Sequence, residues 1–207
     1  ALALVSLDAD APTLALGTAT GVVKRVTQEA APGRDAWDVI GLRDGDEVVG
    51  ACTVADDDEL VFMTAEAQLL HFPASAVRPQ GRPAGGMAGI KTAAGDRVVF
   101  FGSVPHGEEA TQALVVTVAG ASDALPGTQA GTAKVTPFAL YPAKGRATGG
   151  VRAHRFLKGE DALLRAWVGP APARATGSAG QAVELPAPVE RRDGSGTPLA
   201  APVHALG

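Results

Sequence analysis

At 207 residues, 46% of them hydrophobic and 19% charged, the chain is long and apolar enough to bury a core, which excludes a disordered tail. Its 26 glycines and 15 prolines exclude a helical protein and suit many short strands joined by tight turns. The formal net charge is −4, and no stretch approaches the roughly 18 consecutive apolar residues that a membrane span needs.

Ala1 opens a strand-like alternation with no basic flank, so no signal peptide is expected. The lack of an initiator Met points to processing or to a fragment of a longer protein. Residues 13–17 and 22–26 flank the turn Thr20-Gly21 and read as a hairpin, with Gly21 free to take positive φ. Gly45-Asp46 then precedes a strand at 47–50, and the run 48–54 carries Cys52, the only cysteine, which reads as a buried structural thiol. A single cysteine permits no internal disulfide and makes the cytoplasm the natural compartment.

The pattern then recurs. Residues 60–64 and 69–72 form a second hairpin, followed by Gly81-Arg82, Gly85-Gly86, Gly95-Asp96 and a strand at 97–100. Residues 114–118 and 133–138 form a third, split by an insertion at 119–131 that reads as a mobile loop. Gly145-Arg146, Gly149-Gly150, Gly159-Glu160 and a strand at 162–165 follow it. A fourth hairpin at 173–176 and 182–185 leads through Arg191-Arg192 and Gly194-Ser195-Gly196 to a last strand at 199–203. A shift of 64 residues superposes Gly81, Arg82, Gly85, Gly86 and Gly95 on Gly145, Arg146, Gly149, Gly150 and Gly159. Repetition of this kind indicates stacked or radially arranged units. Four units, at 8–55, 56–106, 107–170 and 171–207, predict an all-β, propeller-like disc. A sandwich fits the Gly-marked crossings less well, and a pair of small β-barrels would not need the same phrase four times.

The net charge hides an asymmetry. Residues 1–66 carry 4 basic and 13 acidic side chains, whereas 67–207 carry 14 basic and 9 acidic, with 130–175 the most basic stretch. A one-sided basic face is a footprint for a polyanion; a solvated surface is the plainer alternative.

Several phrases together are similar to the C-terminal domain of the A subunit of bacterial DNA gyrase and of its topoisomerase IV counterpart. They are Thr18-Ala-Thr-Gly-Val-Val-Lys24-Arg25, the run from Gly41 to Gly50, Phe62-Met-Thr-Ala-Glu66, Phe72-Pro-Ala-Ser-Ala-Val-Arg78-Pro79 and Tyr141-Pro-Ala-Lys144-Gly-Arg146-Ala-Thr-Gly-Gly-Val151. The resemblance covers about residues 2–204. It implies a β-pinwheel whose blades exchange strands and whose basic rim bends DNA. About six blades are usual, and this chain resembles the last four. The family's wrapping box, Gln-Arg-Arg-Gly-Gly-Lys-Gly, is matched only by residues 80–86, which keep Gln80, Arg82 and Gly86 but replace the centre with Pro83-Ala84-Gly85. These residues read as an ordinary crossing.

The expected DNA-binding residues are Lys24, Arg25, Arg78, Arg82, Lys91, Lys134, Lys144, Arg146, Arg152 and Arg155, at hairpin ends and crossings that a pinwheel would place on its rim. Each phosphate they neutralise releases counterions. Glycines beside Arg82 and Arg146 would let backbone N–H groups approach phosphate. Nothing in the sequence suggests base readout, so DNA shape and deformability are expected to govern binding.

Catalysis has little support. His71, His106, His154 and His204 lack metal-ligand spacing, and residues 56–59 lack the glycine of a calcium loop. Tyr141, the only tyrosine, matches a blade strand; the resemblance places the DNA-cleaving tyrosine in another region of the enzyme. Trp37 and Trp167 are expected to pack between blades. The resemblance thus implies a non-catalytic accessory domain of an ATP-dependent type IIA topoisomerase, cytoplasmic and nucleoid-associated. Its implied partners are duplex DNA, the ATPase B subunit, and the catalytic core formed by the rest of the A chain. It needs no cofactor, ATP and Mg²⁺ being used elsewhere in the holoenzyme. The alternative is an interaction scaffold that docks through its acidic first unit. A propeller enzyme lacks a convergent set of ligands or acids.

Overall fold

The structure, a computed structural model, describes all residues except 1, 7, 9, 10, 28–32, 34, 108–110 and 126. Among the described residues it is all-β apart from two single-turn 3-10 segments at Ala74–Ala76 and Phe138–Leu140 and the helical residues 111–112. In chain order the first strands are β1 (Thr13–Thr18), β2 (Val22–Val26), β3 (Val48–Val54), β4 (Glu59–Thr64) and β5 (Gln68–Pro73). The short β6 (Pro79–Gln80) and β7 (Met87–Ala88) precede β8 (Val98–Val104), β9 (Leu114–Gly120) and β10 (Thr132–Pro137). The chain closes with β11 (Val151–Arg152), β12 (Ala162–Gly169), β13 (Ala175–Thr176), β14 (Thr197–Pro198) and β15 (Ala205–Leu206).

Three sheets share one plan: a hairpin, a long return strand beside its first strand, and a short strand lent by the next unit beside its second. Their orders are β3-β1-β2 with β6 and β7, β8-β4-β5-β11, and β12-β9-β10-β14. The lent strands keep the same register, since Met87 lies opposite Val23, Val151 opposite Leu69 and Thr197 opposite Ala133. This is the strand exchange of a β-pinwheel, and it carries the sheets across the unit limits read from the sequence. The fourth unit is slighter, with a two-stranded β13–β15 pair and a bridge from Thr176 to Ala182. Its return strand lies at Ala205–Leu206 rather than at 199–203, a stretch where Pro202 has no N–H to give a ladder.

The core lies between blades. Alternate residues of β4 face opposite neighbours: Leu60 and Phe62 join Ala15, Val23, Val54 and Phe101, while Val61 and Met63 join Val115, Phe138 and Leu163. A strand buried on both faces reads as a continuous apolar run, as Leu60-Val-Phe-Met63 does. Full burial of a side chain such as Phe62 contributes roughly 1.5–3 kcal/mol. Its ring meets that of Phe101 at 4.8 Å, and Gly17 and Gly50 leave the room that Phe101 fills.

The turns before the return strands reach farther than their own backbone. Gly45, Gly95 and Gly159 take positive φ of 78°, 83° and 90°. The Asp46 carboxylate accepts the N–H of Thr20 at 3.0 Å and its hydroxyl at 2.7 Å, and Asp96 accepts the N–H of Glu66 at 3.0 Å. Asp161 accepts the N–H of Ser122 at 2.7 Å. These carboxylates tie each return strand to the hairpin beside it. The neck of the insertion after β9 is closed by Gln129, whose side chain bonds the N–H and the carbonyl of Ala121 at 3.2 and 2.7 Å.

Candidate nucleic-acid interface

The crossings between hairpins and return strands form the outer edge of each sheet. In three of them a glycine presses against the second strand of the preceding blade. A Cβ on Gly86 would stand 2.7 Å from the Val23 carbonyl oxygen, one on Gly150 2.5 Å from that of Leu69, and one on Gly196 2.9 Å from that of Ala133. Four residues before each of these glycines stands an arginine: Arg82, Arg146 and Arg192. Successive crossings are also joined by backbone bonds at matching places. Gly41 N–H donates to Ala84 O at 3.3 Å, Lys91 N–H to Thr148 O at 3.0 Å, and Arg155 N–H to Gly194 O at 3.0 Å. The crossings therefore make a continuous belt, held close enough to fix where their side chains emerge.

Along this belt Arg78, Lys91, Lys144, Arg152 and Arg155 are exposed, and Arg82, Arg146 and Arg192 are half-buried. Among the described residues the ion pairs are Arg25 with Asp56, His71 with Glu59 and Arg191 with Asp193. None uses those eight cations, so they stand without a carboxylate partner among the described residues. Arg146 Nη1 donates to Ala88 O at 2.6 Å, Lys144 Nζ to Gly149 O at 2.8 Å, and the Arg82 guanidinium lies 5.8 Å from the ring centre of Trp37.

Three of the ten residues expected at the rim are not there. Lys24, Arg25 and Lys134 are buried: the crossings cover Lys24 and Lys134, and the 3-10 turn Ala74–Ala76 with Val77 covers Arg25 from the other face of β2. Lys24 Nζ donates to the carbonyls of Val39, Gly81, Arg82 and Ala84 at 2.7–2.8 Å. Arg25 pairs with Asp56 at 2.6 Å and donates to Ala74 O at 3.1 Å. Lys134 donates to Arg192 O, and burial pulls its pKa down to about 8. These cations bind protein carbonyls and have no free edge for a phosphate.

Arg192 lies outside the set expected from the sequence. The insertion after β9 lengthens the third unit, so Arg192 follows Arg146 by 46 residues where Arg146 follows Arg82 by 64. The signal that recovers it is the glycine four places on, Gly196, which repeats the packing of Gly86 and Gly150.

Other singled-out residues serve the fold. His71 is buried, with Nδ1 2.8 Å from Glu59 Oε2 and Nε2 2.9 Å from Tyr141 O. Tyr141 lies outside the strands, capping the 3-10 turn Phe138–Leu140; its hydroxyl is 2.9 Å from Thr136 Oγ1, and burial lifts its pKa to about 12. Cys52 is partly buried on β3, with its thiol pushed up to about 11 by burial. Trp167 is half-buried on β12, and its ring covers Gly169. Among the described residues no three His, Cys, Asp or Glu side chains gather as metal ligands, and no helix is long and apolar enough to cross a membrane.

A family profile described as the DNA gyrase C-terminal domain, beta-propeller, matches residues 58–105 and 127–165. Over 138 residues, 66% of the chain, the sequence is 36% identical to the A subunit of DNA gyrase from Salmonella typhimurium and 38% identical to that from Escherichia coli. It is 34% identical over 146 residues, 69% of the chain, to the A subunit of DNA gyrase from Mycobacterium tuberculosis. The chain belongs with the DNA gyrase C-terminal domains.

The match covers 14% of the Salmonella and Escherichia coli proteins and 16% of the Mycobacterium tuberculosis one, so this gyrase-type domain spans a small part of the relatives' length. Its fold is that of the C-terminal domain of DNA topoisomerase IV, with a TM-score of 0.77 at 17% identity over 97% of this chain and 62% of that one. The C-terminal domain of DNA gyrase A gives 0.74 at 19% identity, over 97% of this chain and 66% of that one. Of the belt cations, Arg78, Arg82 and Lys91 fall in the first stretch of the family match, and Lys144, Arg146, Arg152 and Arg155 in the second.

Proposed function

We propose that this gyrase-type domain binds and bends duplex DNA along the belt of crossings, as a non-catalytic accessory of a type IIA topoisomerase. The observation that carries the reading is the threefold recurrence of an arginine, Arg82, Arg146 and Arg192, at one place in three tied crossings. The exposed cations Arg78, Lys91, Lys144, Arg152 and Arg155 lie on the same segments. Cations spaced along one curved edge neutralise successive phosphates, and binding of this kind reads backbone and deformability rather than base sequence. In this reading the domain presents the bent segment to the catalytic core of the A subunit for strand passage driven by the ATPase B subunit. ATP and Mg²⁺ act there, the domain needs no cofactor of its own, and the enzyme works on the chromosome in the cytoplasm.

A salt-titrated binding assay with linear and nicked-circular duplexes tests the reading. The wild-type chain should bind with a steep salt dependence and favour longer duplexes. Reversal of Arg82, Arg146 and Arg192 to Glu should abolish binding at moderate salt. Unchanged affinity of that triple variant at low salt would overturn it.

A further inference from the structure

Two of the three crossing arginines are fixed at both ends. The Arg82 guanidinium lies 5.8 Å from the ring centre of Trp37, and that of Arg192 lies 6.0 Å from the ring centre of Tyr141. The backbone carbonyls of the same two arginines are held from the interior by lysines, Arg82 O by Lys24 Nζ at 2.8 Å and Arg192 O by Lys134 Nζ. Lys24 and Lys134 occupy the same register position, each directly after the residue that faces the lent strand, Val23 or Ala133.

In the intervening blade that position is Leu70, which is buried in the core. An apolar side chain therefore suits the site, and a buried ammonium there needs a reason, because a cation taken out of water is costly unless it is fully bonded. Lys24 meets that need entirely with carbonyls, four of them for the three N–H bonds of an ammonium. No carboxylate joins them among the described residues. Where Leu70 replaces the lysine, the crossing arginine is held in another way: Arg146 Nη1 donates to Ala88 O at 2.6 Å, and no aromatic ring among the described residues lies under it.

We infer that Lys24 and Lys134 are positioning residues for phosphate contact: each ties down the carbonyl of a crossing arginine so that the guanidinium rests on its aromatic shelf, half-exposed and already oriented. The effect extends to the backbone. A trans peptide sets its N–H opposite its carbonyl, so carbonyls of Gly81 and Ala84 aimed at Lys24 turn the N–H groups of Arg82 and Gly85 away from it. A crossing with inward carbonyls, outward donors and a fixed guanidinium suits a phosphodiester oxygen. The lysines touch no phosphate themselves; they remove the cost of ordering the groups that do. This inference rests on the DNA-binding reading above.

The test compares Lys24→Met, Lys134→Met, Arg82→Ala and Arg192→Ala with the doubles Lys24→Met/Arg82→Ala and Lys134→Met/Arg192→Ala, all in the full chain. Affinity for a linear duplex is measured across a salt series, with folding checked by circular dichroism. Each lysine variant should lose about three- to tenfold in affinity, in line with one charge-assisted contact. The slope of log K against log salt should fall by up to about 0.9, the value of one phosphate, although the lysine is buried. Each double should bind no more weakly than its arginine single. In a Trp167→Phe background, Trp37 emission should shift to longer wavelength in Lys24→Met as the shelf loses its cover. If Lys24→Met does not fold, the Lys134→Met pair carries the same comparison.

Arginine variants that weaken binding while folded lysine variants leave affinity and slope unchanged would overturn this inference alone. Additive losses in the doubles would do the same. Arg82→Ala and Arg192→Ala that bind like wild type would overturn the phosphate-contact reading of these arginines, and the positioning role with it.

Discussion

His154 Nε2 accepts the backbone N–H of Gly196 at 3.2 Å, which requires that nitrogen to be unprotonated. The ring's single proton is then on Nδ1 and is donated to Thr117 Oγ1 at 2.8 Å. A buried neutral imidazole thus pins the last crossing to β9. Burial, helped by the charge of Lys134, lowers the His154 pKa from 6.5 to about 4.

This gives an acid-lability prediction. Between pH 6.5 and about 4 the unfolded chain takes up a proton at His154 that the folded chain refuses, so stability falls as pH falls through that window. The loss from this group should reach about 2–3 kcal/mol at the acid end. Urea denaturation of wild type and His154→Gln between pH 7 and 4.5 measures it. The wild type should lose the larger share of its stability, and parallel curves would contradict the assignment.

Gly150 is predicted to be intolerant of any side chain. A Cβ there would stand 2.5 Å from the Leu69 carbonyl oxygen, and backbone does not yield as a flexible side chain would. Gly150→Ala should cost about 2–4 kcal/mol. Gly149→Ala, with nothing within 4 Å of the new Cβ, should stay within about 0.5 kcal/mol of wild type. Thermal or chemical denaturation of the two variants decides it.

Arg25 and Asp56 should be unequal partners. Arg25 is buried, while the Asp56 side chain is 77% exposed. Arg25→Met removes a guanidinium that also bonds Thr13 Oγ1 at 2.9 Å and Ala74 O at 3.1 Å, and it should cost about 3 kcal/mol. Asp56→Asn should cost no more than about 1 kcal/mol, as befits a solvated carboxylate. At equal folded fraction, DNA affinity should be the same for Arg25→Met and wild type; a selective affinity loss would return Arg25 to the contact surface.

Salt dependence should sort the exposed cations. Arg152→Gln and Arg155→Gln should each reduce the slope of log K against log salt by about 0.9. Arg165→Gln should leave it unchanged, since that side chain is bonded to His204 O at 3.1 Å and to Leu164 O at 2.7 Å, away from the crossings. Equal slopes for all three variants would mean that the belt is not the contact surface.

In the first three units the hairpins and return strands were legible because each rests on local chemistry: apolar runs, and Gly at positive φ followed within two residues by Asp; the fourth unit, with its return strand at Ala205–Leu206, was not. The lent strands were harder to see, since two residues such as Val151-Arg152 carry no periodicity. The fate of the basic residues was the least legible. Lys24 and an exposed lysine present the same letter, and what separates them is whether a neighbouring chain segment covers the strand. The clue lay in the register of the repeat, where Leu70 stands at the place of Lys24 and Lys134. A position that takes Leu in one copy is an interior position in all of them. Arg25, His71 and Val135 tell the same story one residue later.

Strand lending also decides how the molecule bears a pull. A tug on Arg82 enters through its crossing, but that crossing is zipped to β2 of one blade while its chain continues into β8 of the next. The force is divided between two sheets. At Arg146 the crossing likewise leads from β11, paired with β5, into β12 of the next sheet. Traction at the rim is thus shared by adjacent blades.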